Sequence, residues 1–298
     1  MRRRKRRRGR QKKGAWFCTG IMFLFLVGIL LFSGDKTAGE KEAAADAVKE
    51  TGGTKDALAD RGTEEKEKEE KSPGYLENID GIEAGTVLDT ETLDLSKAPG
   101  YFTINPIGDD IAQYINGKSY VENDHIQLEE LRYLKLLHYN YSHEIQVGEL
   151  IVNEKIAEDC RKVFQELFSE EYEIESICLI DKFWTGDSVD SDTNSIEHNN
   201  TSAFNYRVVP DTDRLSNHAA GFAIDINPLQ NPYVKYNSDG SFAKYYKDME
   251  KYTDRKQKGK HMITHDDICY RIFEKHGFTW GGDWNTSKDY QHFEKKFD

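Results

Sequence analysis

An uncharged run near the start of the chain constrains its organisation most strongly. Residues 15–32, AWFCTGIMFLFLVGILLF, contain no charged side chain over eighteen positions. As a helix this run is roughly 27 Å long, which is close to the hydrocarbon thickness of a bilayer. Ten Lys or Arg residues and no acidic residue stand just before it, in residues 2–13. Because positive flanks stay in the cytoplasm, the pattern predicts a single-pass anchor whose C-terminal side lies outside the cell.

A cleaved signal peptide is the competing interpretation of the same run, since small residues follow it in TAGEKEAAADA. The apolar run and its basic flank are longer than those of a usual signal peptide, and this favours the anchor. Both interpretations export everything that follows. The sequence therefore predicts a basic cytoplasmic tip over residues 1–14, a transmembrane anchor over residues 15–32 and an extracellular remainder.

The charge of the exported part argues against nucleic acid as a partner. The whole chain has a formal net charge of −12, so removing the ten basic residues of the tip leaves −12 − 10 = −22. A basic tip alone is also found in nuclear signals and nucleic-acid arms, but the apolar run that follows it favours a membrane flank. We therefore expect no nucleic-acid partner.

Composition divides the exported part further. Residues 33–74 are rich in Glu, Lys, Ala, Gly and Thr and contain few large aliphatic side chains, so they predict a flexible charged linker. An N-terminal elaboration over residues 75–144 and a core over residues 145–298 are expected to follow. The exported cysteines show no paired spacing and predict buried free thiols. They are Cys160, Cys178 and Cys269.

Helices and strands are mixed in the core without a strict βαβ rhythm, and this predicts an α+β fold. The segment NEKIAEDCRKVFQELFSEEY predicts a helix capped by Asn153. The segment THDDICYRIFEKHGF predicts another, capped by Thr264, with Asp267 completing a capping box and Gly277 at its end. Between them, EIESICLID predicts a strand.

The segment SNHAAGFAIDIN carries the first candidate metal ligands. If GFAIDIN is a strand, Phe222, Ile224 and Ile226 face a core while Asp225 stands on the opposite face. A turn at the preceding glycine then allows His218 to fold back over that face. Both side chains can ligate a metal ion.

A third candidate ligand lies near the C-terminus. His292 stands in DYQHFE, shortly after the turn sequence WGGDW, and Asp289 precedes it by three residues. His, Asp and His with an open fourth position are a reasonable ligand set for catalytic zinc. Zinc makes water acidic enough to react near neutral pH, and a nearby carboxylate that is not a ligand can accept its proton.

These segments resemble the paired signatures S-x-H-x(6)-D and [ED]-x-x-H of the LAS-type zinc peptidases. That family comprises D-alanyl-D-alanine carboxypeptidases and dipeptidases and L-alanyl-D-glutamate endopeptidases of bacterial cell walls. The flanking segments NNTSAFNYR and GFTWGGDW are similar as well, and the resemblance runs from roughly residue 145 to 298. It implies a small antiparallel sheet flanked by helices, with Zn²⁺ in an open groove.

The resemblance also implies a role for each site residue. The zinc ligands fall on His218, Asp225 and His292, and the general base falls on Asp289. In a regular strand, positions 289 and 292 face opposite ways, so we expect the chain to bend or bulge between them to bring both side chains towards one metal ion. Some members have Glu at the base position, so Asp there favours the endopeptidase-like branch. Arg207, in FNYR, matches an arginine that holds the substrate or the developing oxyanion.

Several of these residues also have a purely structural interpretation. Arg207 equally suits a structural ion pair in an acidic domain, and Ser216 either contacts substrate or only shapes its turn. Trp280 and Trp284 suit either groove walls or the core. The sequence predicts a membrane-anchored zinc peptidase acting on peptidoglycan stem peptides. A non-catalytic zinc-containing module that binds the cell wall and a purely structural linker are the alternatives, and the bond that is cut stays open.

Overall fold

The computed structural model describes residues 74–209, 212–239, 241–244, 247–257 and 259–296. The predicted tip, the anchor at residues 15–32 and all but the last residue of the linker lie outside these ranges. Within the described ranges, no helix is both long and apolar enough to cross a membrane.

Eleven strands and four α-helices are assigned within the described ranges. The strands are β1 (Thr103–Pro106), β2 (Leu131–Tyr139), β3 (Ile145–Asn153), β4 (Ser176–Ile177), β5 (Asn200–Thr201), β6 (Ala223–Asp225), β7 (Tyr233–Tyr236), β8 (Phe242–Lys244), β9 (Thr279–Trp280), β10 (Ser287–Asp289) and β11 (His292–Glu294). The α-helices are α1 (Asp109–Ile115), α2 (Glu154–Ser169), α3 (Ser188–Glu197) and α4 (Ile268–Lys275). Short 3-10 helices occupy Thr90–Thr92, Leu95–Tyr101, Leu128–Glu130, Ile180–Phe183, Asn217–Ala220, Lys247–Tyr252 and Gly281–Asp283.

The longest strands form one antiparallel sheet in the order β1-β2-β3. Helix α2 packs on this sheet through one apolar face, and the prediction of this helix is confirmed. Asn153 caps it, since its side-chain oxygen accepts from the Lys155 amide at 3.1 Å. The buried side chains of that face recur at helical spacing. They include Ile156, Cys160, Val163, Phe164 and Leu167.

Two smaller antiparallel sheets hold the segments that the sequence singled out. One has the order β6-β11-β9 and the other β10-β7-β8. Strands β4 and β5 form a separate parallel pair. A mixed architecture of helices and small antiparallel sheets is therefore present, as predicted. The β1-β2-β3 sheet joins residues on both sides of position 144, where we expect the elaboration to meet the core.

Three details of the secondary-structure prediction were wrong. Helix α4 begins at Ile268 and is capped by Asp267, whose carboxylate accepts from the Cys269 amide at 2.8 Å. Thr264 is not the cap, because its carbonyl closes a turn with the Asp267 amide at 2.9 Å. Only Ser176–Ile177 of the segment EIESICLID is a strand. Strand β6 spans only Ala223–Asp225, since left-handed Asn227 (φ 46°) redirects the chain soon after it.

Cys160, Cys178 and Cys269 are buried free thiols, as predicted. Burial raises the pKa values of the Cys160 and Cys269 thiols well above their usual value. These thiols therefore stay protonated and serve as small apolar core residues.

Candidate metal centre

His218 reaches the site from a tight turn. It lies in the 3-10 turn Asn217–Ala220, where its amide donates to the Ser216 hydroxyl at 3.3 Å. Gly221 ends the turn in the left-handed region at φ 72°. A Cβ at this position would lie 2.6 Å from the Asn153 backbone nitrogen, so both the backbone angle and the space require glycine. The turn that we expected at this glycine is confirmed.

Asp225 and His292 meet through strand pairing. Strands β6 and β11 are antiparallel, and these two residues are direct partners in their register. Asp225 Oδ1 and His292 Nδ1 are 3.1 Å apart. Both side chains are buried, and so is that of His218. One carboxylate and two imidazoles therefore share a space that is largely shielded from water.

The three side chains converge on one point. His218 Nε2 lies 3.2 Å from His292 Nδ1 and 3.3 Å from Asp225 Oδ2. Zinc bonds of about 2.0–2.1 Å in a tetrahedral arrangement place neighbouring ligand atoms roughly 3.3 Å apart. These residues are the one group of three or more His, Cys, Asp or Glu side chains in the described ranges whose ligand atoms could share a metal ion. The spacing and the donor types fit a small tetrahedral cation.

Hydrogen bonds fix the orientation of both imidazoles. His218 Nδ1 lies 2.6 Å from the Ala203 carbonyl, which leaves Nε2 to face the centre. His292 Nε2 lies 3.2 Å from the Glu294 carboxylate, which leaves Nδ1 to face it. Partners of this kind set the tautomer and raise the basicity of a metal-ligating histidine.

The carboxylates of the centre are held in the same way. Gln291 Nε2 donates to Asp225 Oδ2 at 3.1 Å. Asn217 donates a short hydrogen bond to the Glu294 carboxylate. Sequence reasoning missed Gln291 and Glu294, and it did not predict the hydrogen bond from Asn217 to Glu294. A signal for Glu294 was present, since it stands two residues after His292 and therefore on the same face of a strand.

The local charges favour ionised groups. Burial alone would raise the pKa of Asp225, but His218 and His292 beside it lower that pKa overall. Burial would lower the pKa of His292, yet its bonds to Asp225 and Glu294 raise it to about 10. A cation at this point replaces the extra imidazolium proton, so metal binding releases protons.

Asp289 approaches from the neighbouring sheet. It ends β10, whereas His292 begins β11, and the two strands belong to different sheets. The bend that we expected between these positions is therefore present at Tyr290 and Gln291. Asp289 Oδ1 is buried and has no hydrogen-bond partner among the described residues. Burial and the charge of Asp225 raise the pKa of Asp289 to about 7, although His292 and Arg207 act against this rise.

One cavity of about 680 Å³ contains these groups. His218, Asp225, His292, Asp289 and Arg207 all line it. A space of this volume accommodates a short peptide segment.

Arg207 and two further predicted residues, Ser216 and Trp284, line the cavity in different ways. Arg207 Nη2 contacts Asp192 Oδ2 at 2.8 Å, so Arg207 forms the ion pair that the sequence offered as its alternative role. Both residues also line the cavity. Ser216 shapes the His218 turn and lines the cavity. The Trp284 ring lies 5.2 Å from the His292 ring, measured between centroids.

Trp280 occupies a core position instead. It is buried, and its Nε1 donates to the Tyr290 carbonyl at 2.8 Å. Its ring packs parallel to that of Phe293. It does not line the cavity that contains Asp289. Its tryptophan ring thus supports the strands that position the site.

The comparison with protein families agrees with this geometry. Residues 210–295 match the model of a peptidase family described as D-alanyl-D-alanine carboxypeptidase. The matched segment contains the His–Asp–His cluster and Asp289, so the resemblance predicted from the sequence is confirmed there. No curated protein and no solved structure matches the chain.

Proposed function

We propose that this protein is a zinc-dependent peptidase that hydrolyses peptidoglycan stem peptides. One observation carries the proposal: a buried His–Asp–His cluster with tetrahedral spacing shares its cavity with the unpaired carboxylate of Asp289. A site that only binds zinc has no need of a free carboxylate next to the metal. The family match over residues 210–295 supports peptide hydrolysis as the reaction class.

His218, Asp225 and His292 would hold the zinc ion. When bound, zinc supplies a Lewis acid that polarises the amide and acidifies water near neutral pH. Asp289 takes up the proton of the attacking water through its free Oδ1 and passes it to the leaving amine. Its raised pKa suits a group that must both accept and return a proton.

The cavity walls bind and orient the peptide. Arg207 lines the cavity that contains Asp289 and can hold a carboxylate or a developing oxyanion. Trp284 and Ser216 line the same space and provide an apolar wall and a hydroxyl. These proposed roles follow from the resemblance to the peptidase family, and none of them involves Trp280.

Two further cations suit an anionic peptide. Arg214 and Lys235 line the cavity and form no ion pair with another described residue. Most of this chain repels anions, because the sequence beyond its basic tip is strongly acidic. Stem peptides carry free carboxylates, so the two cations offer a local attraction for such a ligand.

The position of the metal centre in the cell follows from the N-terminal sequence. We propose that residues 15–32 anchor the protein in the cytoplasmic membrane and that residues 33–74 hold the domain towards the cell wall. Protease added to intact spheroplasts should then remove the domain. Protection of the domain until the cells are lysed would contradict the N-in, C-out orientation.

The choice of bond is tested by product analysis. The zinc-loaded protein is incubated with purified muropeptides, and the products are identified by mass. Loss of a terminal D-alanine would assign a carboxypeptidase, and release of the peptide after L-alanine would assign an endopeptidase, which Asp289 favours. Zinc content of one ion per chain with no cleavage would replace the proposal with the non-catalytic recognition module.

A further inference from the structure

Arg207 is held by an acidic residue that the sequence signatures do not include. Asp192 lies in α3, and its Oδ2 is 2.8 Å from Arg207 Nη2. The two side chains are only 13% and 9% exposed, so water screens this pair weakly. Both residues line the cavity that contains Asp289.

Two other polar atoms of Asp192, Arg207 and Asp289 lack a hydrogen-bond partner. Arg207 Nε is buried without a hydrogen-bond partner among the described residues, and so is Asp289 Oδ1. Arg207 Nη1 makes only a long contact of 3.4 Å with the Val208 carbonyl. Of these three side chains, only Asp192 is paired with the Arg207 guanidinium.

A guanidinium in a nearly dry cavity pairs with any carboxylate that it can reach. If Asp192 were neutral, the unpaired Asp289 would be the remaining carboxylate of this group. Pairing with Arg207 would occupy the oxygen that must accept a proton and would withdraw the guanidinium from substrate. The same contact would lower the basicity of Asp289.

The helix that carries Asp192 is tied to the segment that carries Arg207. Asn205 Nδ2 donates to the Ser188 carbonyl in the first turn of α3 at 3.0 Å. Asp187 caps that helix through the amides of Val189 and Asp190. The position of the Asp192 carboxylate relative to Arg207 is therefore set by the backbone rather than by side-chain rotation alone.

We infer that Asp192 is a positioning residue, which fixes the Arg207 guanidinium and keeps it from pairing with Asp289. Both the cation and the base then stay available to a bound peptide. The inference rests on the proposed peptidase function for its effect on turnover, but the arrangement of the three side chains can be observed without turnover.

The kinetic test uses zinc-loaded full-length protein. Asp192→Asn should lower kcat by about 10-fold to 10²-fold, because small displacements of a catalytic group cost this much. Asp192→Glu should recover part of the loss. Asp190→Asn removes the same charge from an exposed position of the same helix and should leave kcat and KM unchanged. Zinc content should stay the same in all three variants.

A double substitution separates positioning from a structural role. Asp192 acts through Arg207, so Asp192→Asn should have no further effect on kcat in an Arg207→Ala protein. Additive losses, or a lower melting temperature with unchanged kcat, would overturn the inference and leave a structural ion pair.

A spectroscopic readout is independent of activity. The Arg207 Nε–H signal in a ¹⁵N spectrum should be sharp in the parent protein, since that group is buried, and should shift in Asp192→Asn. In Asp192→Asn it should return towards its original position when Asp289→Asn is added. An unchanged signal in Asp192→Asn overturns the inference. Absence of peptide cleavage by the parent protein would instead overturn the proposed function, while this signal would still decide the role of Asp192.

Discussion

Asp225 and His292 are direct partners across the β6–β11 pair, with Asp225 Oδ1 3.1 Å from His292 Nδ1. A shift of one residue in this register would turn His292 to the other face of the sheet. His218 arrives separately, from a turn that only glycine at position 221 can close. Two ligand positions thus depend on strand pairing and the third on a local turn.

The first prediction separates the ligands from the base. His218→Ala or His292→Ala removes one of three protein donors, so zinc and activity should be lost together. Asp289→Ala leaves the three donors in place and should keep zinc while turnover falls on the order of 10²–10⁴-fold. Elemental analysis and peptide turnover are measured on each purified variant.

Asp289→Asn is the matched control for shape. It keeps the size of the side chain and removes its basicity, so it should behave like Asp289→Ala. A zinc-free Asp289→Ala together with an active, zinc-loaded His292→Ala would show that the two roles are assigned the wrong way round.

The second prediction concerns Glu294, which supports His292. Its carboxylate lies 3.2 Å from His292 Nε2, so Glu294→Gln should weaken zinc binding by about 10–100-fold. Lys296 contacts Glu294 as well, at 3.1 Å, but its side chain is 75% exposed. Lys296→Gln should therefore leave zinc affinity nearly unchanged. Competition with a chelator measures both, and equal affinities in the two variants would contradict the support role.

The third prediction concerns substrate charge. In the β10–β7 pair, Asp289 is opposite Tyr233 and Ser287 is opposite Lys235. Lys235 therefore lies about 7 Å along the ribbon from the base and on the same face, since side chains alternate. Lys235→Gln should raise KM by about 3- to 5-fold for a peptide with a free carboxylate there, with kcat unchanged.

An amidated peptide provides the control for this effect. The parent protein should lose affinity for it, while Lys235→Gln should bind both peptides alike. Lys288→Gln removes a charge from the opposite face of the same ribbon and should leave KM unchanged. A similar rise in KM for both lysine variants would point to the overall charge of the domain instead.

Local signals predicted much of this structure. The apolar spacing after Asn153 defines α2 because a helix buries one face, and capping fixes its start. The turn before Ala223 was predicted because Gly221 suits a left-handed position. The bend between Asp289 and His292 followed from strand alternation, since both had to approach one metal ion.

Contacts between distant segments could not be predicted in this way. Asp192 meets Arg207 across fifteen positions, and no periodicity links a helix to the loop that follows it. Thr264 and Asp267 are both common capping residues, and the sequence alone does not show which of the two starts α4. Trp280 lies in the core because its indole N–H reaches the Tyr290 carbonyl, a partner set by the sheet β6-β11-β9.

The fourth prediction concerns stability at acidic pH. His138 is buried, with Nδ1 2.8 Å from the Ile174 carbonyl, and burial lowers its pKa from 6.5 to about 4. At higher pH it is neutral in both the folded and unfolded states. Between about pH 6.5 and pH 4 the unfolded chain takes up a proton that the folded chain refuses, so this residue lowers the free energy of unfolding as the pH falls.

Urea unfolding at pH 7, 5.5 and 4.5 measures this contribution. At pH 7, His138→Asn should have a lower free energy of unfolding than the parent, because a buried side chain becomes smaller. As the pH falls from about 6.5 to 4, however, its free energy of unfolding should decrease by on the order of 3 kcal/mol less than that of the parent. His125→Gln, at an exposed position, should keep the slope of the parent protein. A parallel pH dependence of His138→Asn and the parent would contradict the burial of a neutral imidazole.

The last prediction tests how tightly the segment before β10 holds the base and the third ligand together. A Cβ on Gly281 would lie 2.6 Å from the Asp289 carbonyl oxygen and 3.2 Å from His292 Cβ. The first of these atoms is backbone, so the strand itself must move, and overpacking of this kind typically costs about 1–3 kcal/mol. Gly281→Ala should therefore lower the melting temperature and reduce both zinc affinity and kcat, because Asp289 and His292 are displaced together.

Gly100→Ala meets no atom within 4 Å and should change none of these quantities. Thermal unfolding, chelator competition and muropeptide turnover are compared for the two variants. A Gly281→Ala protein with the stability and kcat of the parent would contradict a tightly fixed spacing of Asp289 and His292.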